Sequence, residues 1–192
     1  MHKDVRRDYL QSLGDLRKAL PLLQQHCPEF GTGPYTLVNE ESGAVANDLD
    51  MLGGFDAYQC WQRGMRGIAA RAQRCSGSPF RTFTIRVGRI SGADTEYRKR
   101  IHAIRYKTEG LMFPHWTLHA YLTMDGSAVT AIGLAKTEEL YVWIYQREKA
   151  GFVFDRRTVE GATFIAPRWD DFKKSGGYFY EWSAVQQKIR TA

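Results

Sequence analysis

The segment 54–90 constrains the fold of this chain most, because it reads as three successive β-strands. Residues 54–61 and 66–73 are separated by the short loop 62–64, a spacing typical of a β-hairpin. The next stretch, PFRTFTIRVGRI, alternates apolar and polar side chains as a half-buried strand does. The sequence therefore predicts a sheet in which these three strands lie side by side.

Helical patterns frame this strand run. Apolar residues recur at helical spacing over about 3–26, and Pro21 is expected to break or kink the end of that helix. A short helix is predicted from Glu40 toward Asp50, and another helix with its N-cap near Ser91 or Asp94. Two strands, WTLHAYLTM and SAVTAIGLA, flank an Asp-Gly turn at 125–126 and precede a helix from about 137. The tail from 163 reads as strand, short helix and strand.

Size and composition favour one α/β or α+β domain over residues 1–192, with its core from about 40 onward. The 192 residues are 43% hydrophobic, enough to bury a core. The sequence lacks an apolar run of membrane-spanning length and a secretory signal pattern, which predicts a cytoplasmic protein with no membrane contact. Its three cysteines form no CxxC pair and are expected to be reduced.

The distribution of charge points to a polyanion. The formal net charge is +6, and residues 57–93 contain seven arginines but neither Asp nor Glu. A second basic run, YRKRIHAIRYK, covers 97–107. Such a surface attracts DNA or RNA, although the arginines could also pair with acids from elsewhere in the chain. The predicted nucleic-acid contacts are Arg63, Arg66, Arg74, Arg81, Arg86, Arg89, Arg98, Lys99 and Arg100.

The order of helix, acidic loop, hairpin, third strand and further helices resembles the core of the PD-(D/E)xK nuclease superfamily, over about 40–92. In that superfamily an Asp on one strand and E/Q-x-K on the next converge on Mg²⁺, which assists phosphodiester hydrolysis. GGFDAYQ matches the first strand, with Asp56 in the place of the aspartate. RGIAARAQ lies at the second, with Ala69 where a metal-binding group is expected and Arg71 where the lysine is. The resemblance implies a restriction-endonuclease-like mixed central sheet flanked by helices.

The resemblance also implies a candidate site. Its catalytic residues would be Asp56, Arg71 and Gln73, with Arg71 projecting toward Asp56 and able to hold a phosphate. Because Ala69 cannot bind a metal, another carboxylate must join Asp56 in holding Mg²⁺. Glu41 and Asp50 are the candidates chosen for that role, and the other acids considered are Glu40, Asp48 and Glu96. The chain would then be a metal-dependent nuclease, or a catalytically silent nucleic-acid-binding domain of the same fold.

Two other features of the sequence could serve a functional site or simply pack the core. His115 and His119 are four residues apart, and without neighbouring cysteines they are a weak zinc signal. The chain has five Trp, ten Tyr and ten Phe, and exposed aromatics would suit a non-catalytic adaptor or subunit that docks a protein partner. In YFYEW, Tyr178 and Tyr180 are expected on one face of a strand and Phe179 on the other.

Overall fold

The computed structural model describes residues 3–38, 54–61, 64–92, 94–106 and 112–185. Within these ranges the helices are α1 (Lys3–His26), α2 (Glu96–Tyr106), α3 (Thr137–Lys149) and α4 (Trp169–Lys174). The strands are β1 (Tyr35–Leu37), β2 (Ala57–Trp61), β3 (Gly64–Cys75), β4 (Ile85–Arg89), β5 (Trp116–Thr123), β6 (Val129–Lys136), β7 (Arg156–Val159), β8 (Ala162–Ile165) and β9 (Phe179–Ser183). The helix suggested from Glu40 toward Asp50 lies outside the described residues.

The described strands form two sheets. The central sheet has the order β1-β2-β3-β5-β6-β9, and a smaller sheet has the order β4-β8-β7. Strands β1, β2 and β3 are antiparallel, β3 is parallel to β5, and β5, β6 and β9 are again antiparallel. The protein is therefore a mixed α+β fold with a mixed central sheet flanked by helices, as predicted at that level of detail.

The prediction that the third strand joins the hairpin is wrong. β4 pairs with β8 in the small sheet, and the place beside β3 is taken by β5. The reason is burial: seven of the eight residues of β5 are buried, so β5 requires an interior position covered on both faces. The segment before β4 leaves the central sheet, with Phe83 and Ile85 packed in the same core cluster as Trp169 and Phe172 of α4.

The bounds of α1 agree with the helix predicted over about 3–26. Pro21 lies inside α1 without breaking it, because Leu20 and Leu23 are completely buried and keep the last turn packed on the sheet. The N-cap of α2 is Thr95, whose Oγ1 accepts a hydrogen bond from the Arg98 backbone N–H at 3.4 Å. The hairpin β5–β6, the helix beginning at Thr137 and the strand, helix and strand of the tail are confirmed.

The two faces of the central sheet are covered by different layers. α1 covers one face, where Leu16, Leu20 and Leu23 belong to the same core cluster as Ile68 and Leu118. Asp15 and Arg74 tie α1 to β3 through two hydrogen bonds of 2.8 and 3.0 Å. The small sheet and the other helices cover the opposite face. None of the helices in the described part of the chain combines the length and the apolarity needed to cross a membrane.

We predict that Gly133→Ala destabilises the fold by about 1–3 kcal/mol, because an added methyl group overpacks a filled core. A Cβ at Gly133 on β6 would lie 2.4 Å from the Trp169 ring. Gly14→Ala is the control, since no atom lies within 4 Å of its added Cβ and alanine favours a helix. Urea unfolding of both variants checks this, and a Gly133→Ala protein as stable as the parent would contradict the packing.

Candidate functional site

A cavity of about 270 Å³ lies where β3 and β5 face β4 and the start of α2. We call it the sheet cavity. Its wall contains backbone and apolar groups of the central sheet together with Phe83 and Ile85. Its charged lining residues are Asp56, Arg71, Arg86, Arg89, Asp94, Glu96, Lys99 and Arg100.

Asp56 is held at the cavity wall by the backbone of β3. It directly precedes β2, its N–H donates to the Ile68 carbonyl at 2.9 Å, and its carboxylate accepts the Ala70 N–H at 2.7 Å. Because Ala57 pairs with Ile68, Asp56 lies opposite Ala69, and Arg71 follows on the same face of β3. The structure thus brings the two predicted residues Asp56 and Arg71 to one cavity.

Glu96 at the start of α2 is the carboxylate that contacts Arg71, at 3.9 Å. It also forms a close ion pair with Arg100 and accepts a hydrogen bond from the Tyr141 hydroxyl at 2.9 Å. Burial acts to raise the pKa of Glu96, but the guanidinium groups of Arg100 and Arg71 outweigh it, so the pKa lies below its usual range. Glu96 is therefore ionised at neutral pH.

Arg100 belongs to the framework of the cavity and is only 5% exposed. It donates hydrogen bonds to the Tyr141 hydroxyl at 2.6 Å and to the Gly54 carbonyl at 3.0 Å. Burial acts to lower its pKa, but the charge of Glu96 outweighs this and the pKa is raised. The charge of Arg100 is thus paired with that of Glu96. Among the predicted nucleic-acid contacts, Arg100 is the one that stabilises the cavity wall.

Arg71, Arg86 and Arg89 form an arginine cluster at the cavity. The guanidinium groups of Arg71 and Arg86 both lie over the Phe164 ring, at 5.1 and 5.4 Å from its centroid. A β-bulge between Arg86 and Gly88 shifts the alternation of β4, which allows Arg86 and Arg89 to line the same cavity. Burial and repulsion from Arg71 and Arg89 lower the pKa of Arg86.

The sheet cavity as a whole is positive. Among the described residues, five cationic side chains line it against three carboxylates, and the N-terminus of α2 adds the positive end of its dipole. Since Glu96 and Arg100 largely cancel each other, the arginine cluster dominates the field that these residues present to an incoming ligand. The arrangement is suited to an anion.

His119 lies in the cavity wall on β5, paired with Arg71 in the strand register. Its Nδ1 accepts the Thr84 backbone N–H at 3.2 Å, and its ring stacks on Tyr121 at 4.7 Å. Burial and the charge of Arg71 lower the pKa of His119 to about 3. A backbone contact with Thr82 acts in the opposite direction but does not offset them, so the ring is neutral. Its buried Nε2 forms no hydrogen bond with the described residues.

Sequence reasoning singled out His119 only as half of a weak zinc pair with His115. His115 is exposed and lies outside the cavity lining. Phe164, whose ring lies beneath the guanidinium groups of Arg71 and Arg86, was not identified from the sequence. The sequence TFI indicates a strand there, but it does not show that arginines from other strands pack on the Phe164 ring.

The remaining predicted contacts lie elsewhere. Arg74 pairs with Asp15 on the α1 face, and Arg81 pairs with Glu181 at 2.8 Å and Asp170 at 3.2 Å. Arg66, Arg98 and Gln73 are absent from the cavity lining. Arg63, Glu41 and Asp50 lie outside the described residues, as do Glu40 and Asp48.

The described residues do not assemble a complete metal site. Among them no group of three or more His, Cys, Asp or Glu side chains is placed to hold a metal ion. Asp56 and Glu96 line the same cavity, but Glu96 is paired with two arginines. The predicted metal ligands Glu41 and Asp50 lie outside the described residues.

Much of the aromatic content packs the core. Trp116 and Trp169 are at most 1% exposed and Trp182 is 7% exposed. Tyr178 and Tyr180 pack on the α1 side of the sheet and Phe179 on the other side, as predicted from their alternation. Docking of a protein partner through exposed aromatics stays a prediction.

Comparison of the sequence with models of protein families and with curated proteins, and of the structure with solved structures, finds no match. The chemistry of the sheet cavity must therefore be argued from its own residues.

We predict that His119 makes the protein less stable in acid. Its folded pKa of about 3 lies below the ordinary value of 6.5, so the unfolded chain binds the proton first as the pH falls. Its contribution is complete above about pH 6.5 and is lost down to about pH 3, at roughly 1 kcal/mol per pH unit. Urea unfolding from pH 7 to pH 4 measures this slope. His119→Gln should flatten it, and an unchanged slope in that variant would contradict the prediction.

Proposed function

We propose that this protein binds nucleic acid, DNA or RNA, by accepting a phosphate group of the strand into the sheet cavity. The observation that carries the proposal is the convergence of Arg71, Arg86 and Arg89 on one cavity. Guanidinium groups form charge-assisted, often bidentate hydrogen bonds with phosphate oxygens. An incoming phosphate would also relieve the repulsion among the three arginines.

We further propose that the fold is of the PD-(D/E)xK nuclease type. Supporting this are the opening helix α1, the antiparallel run β1-β2-β3 and the parallel placement of β5 beside β3. Asp56 precedes the second of these strands, and Ala69 and Arg71 on the third line the same cavity. The place of the acidic residue supports the resemblance seen in the sequence, whereas β4, the third strand of that resemblance, lies in the small sheet.

Binding accounts for the cavity better than catalysis does. Ala69 offers no metal ligand, and Arg71 stands where a lysine is expected. Arginine holds a phosphate as a fixed charge but does not act as a deprotonatable group. The side chains that catalysis needs are therefore missing at these two positions, while positive charge able to bind a phosphate is present.

We predict that Arg71→Ala weakens binding of an oligonucleotide by roughly 1–3 kcal/mol, because a charge-assisted hydrogen bond is lost. The slope of log affinity against log salt should also become shallower by about one unit, because one fewer counterion is released. Arg71→Lys separates the effect of the charge from that of bidentate hydrogen bonding, since lysine restores only the charge. Fluorescence anisotropy at several salt concentrations measures both quantities.

Arg98→Ala is the matched control, because Arg98 is exposed on α2 and lies outside the cavity lining. It should weaken binding much less than Arg71→Ala does. Equal losses in the two variants, or affinity that is flat in salt, would contradict phosphate binding in the cavity.

The second candidate function is metal-dependent phosphodiester cleavage. It is favoured by one observation, that Asp56 and Glu96 line the same positive cavity. Carboxylate oxygens are the ligands that Mg²⁺ prefers. The described residues fall short of a complete site, so this candidate depends on ligands from outside them, with Glu41 and Asp50 the acids predicted from the sequence.

If the second candidate holds, we predict cleavage of a labelled oligonucleotide that requires Mg²⁺ or Mn²⁺ and that Asp56→Asn abolishes. Asp155→Asn, at an exposed acid outside the cavity lining, should retain it. Gel analysis across a metal titration gives the result. Binding without cleavage at every metal concentration would leave the protein a binding domain.

A further inference from the structure

We infer that the sheet cavity recognises the terminal phosphate of a nucleic-acid strand, a phosphate monoester, in preference to a phosphodiester within the strand. The inference rests on the proposed function and specifies its ligand. It is carried by the shape of the cavity, by its excess of positive charge and by the uncharged donor in its wall.

The cavity has room for one phosphate group but not for a length of nucleic-acid strand. Its volume is about 270 Å³, near the lower end of small-ligand sites, and the central sheet closes one side through Ala69, Thr117 and His119. A phosphate within a strand has two ester links, and both must leave the cavity. A terminal phosphate has one link and enters end-on, with its three free oxygens facing the wall.

The charge of the cavity matches a monoester better than a diester. In the described part of its lining, five cations against three carboxylates leave a formal excess of two positive charges. A phosphate monoester carries about −1.5 to −2 at neutral pH, whereas a diester in the backbone carries one negative charge. A diester would leave part of the repulsion among Arg71, Arg86 and Arg89 uncompensated.

His119 supplies the third observation. It is 1% exposed and lies in the cavity wall, and its Nε2 forms no hydrogen bond with the described residues. This nitrogen is itself buried, so a phosphate oxygen would reach it only at the bottom of the cavity, where it would accept a hydrogen bond from the ring. The neutral ring donates without adding charge, and the arginine cluster completes the set of donors around a tetrahedral anion.

The test compares single-stranded oligonucleotides of one sequence that bear a 5′-phosphate, a 3′-phosphate or hydroxyl groups at both ends. Anisotropy with the full chain should show one phosphorylated form binding about tenfold tighter than the hydroxyl form, the effect of one added charge-assisted hydrogen bond. Equal affinities for all three forms would overturn the inference and leave the proposed function intact. Failure of every form to bind would overturn both.

Two further arms identify the source of the phosphate. Inorganic phosphate and a mononucleoside monophosphate, used as competitors, should displace the phosphorylated strand only at much higher concentration, because they lack contacts with the cavity mouth. A mononucleotide that binds as tightly as the phosphorylated strand would overturn the assignment to a strand end.

Substitutions in the cavity test whether the preference for a phosphorylated strand end arises there. Arg86→Gln and His119→Gln should bring the ratio of phosphorylated to hydroxyl affinity toward one, while Arg98→Gln keeps it. If the protein with the buried His119→Gln substitution does not fold, Arg89→Gln, at an exposed residue of the arginine cluster, replaces it in the comparison. A ratio that is unchanged in both Arg86→Gln and Arg89→Gln would overturn the inference.

Discussion

The ion pair between Glu96 and Arg100 is the interaction on which the sheet cavity depends. It joins the start of α2 to Tyr141 of α3, and Arg100 reaches on to the Gly54 carbonyl just before Asp56. Breaking such a buried pair typically costs about 3–5 kcal/mol, because the remaining charge is left without compensation. Gly54 fits this contact closely: its φ is +62°, and an added Cβ would lie 3.2 Å from the Arg100 guanidinium.

The same pair sets the chemistry that the cavity can perform. Since Glu96 is neutralised by Arg100 and lies 3.9 Å from Arg71, it is a poor ligand for a cation but leaves Arg71 able to hold an anion. A metal ion at Glu96 would have to compete with two guanidinium groups. An anion meets the opposite situation, because it joins three arginines that repel one another. Anion binding is therefore the chemistry that this network favours.

The sequence predicted the local structure well and the long-range pairing less well. Helical and strand periodicity located α1, the β2–β3 hairpin and the β5–β6 pair, because these patterns depend on neighbouring residues. The position of β4 could not be predicted in this way, because it depends on whether β4 or β5 pairs with the edge of β3. That choice depends on long-range packing and not on the local sequence pattern. Asp56 and Arg71 could be placed on one face from the strand alternation, whereas the burial that makes His119 neutral arises only when the sheets pack.

The arginine-rich run also shows why a count of charges does not define a binding surface. Arg71 and Arg74 lie three residues apart on β3 and therefore on opposite faces, so one reaches the cavity and the other binds Asp15 beneath α1. Arg86 and Arg89 are also three apart, but the bulge in β4 brings both to the cavity. The positive charge that reaches the cavity is consequently confined to a small volume. A broad basic face would suit a length of polyanion, whereas charge confined in this way suits the single phosphate group that we propose as the ligand, so the backbone geometry of two strands limits the kind of anion that fits.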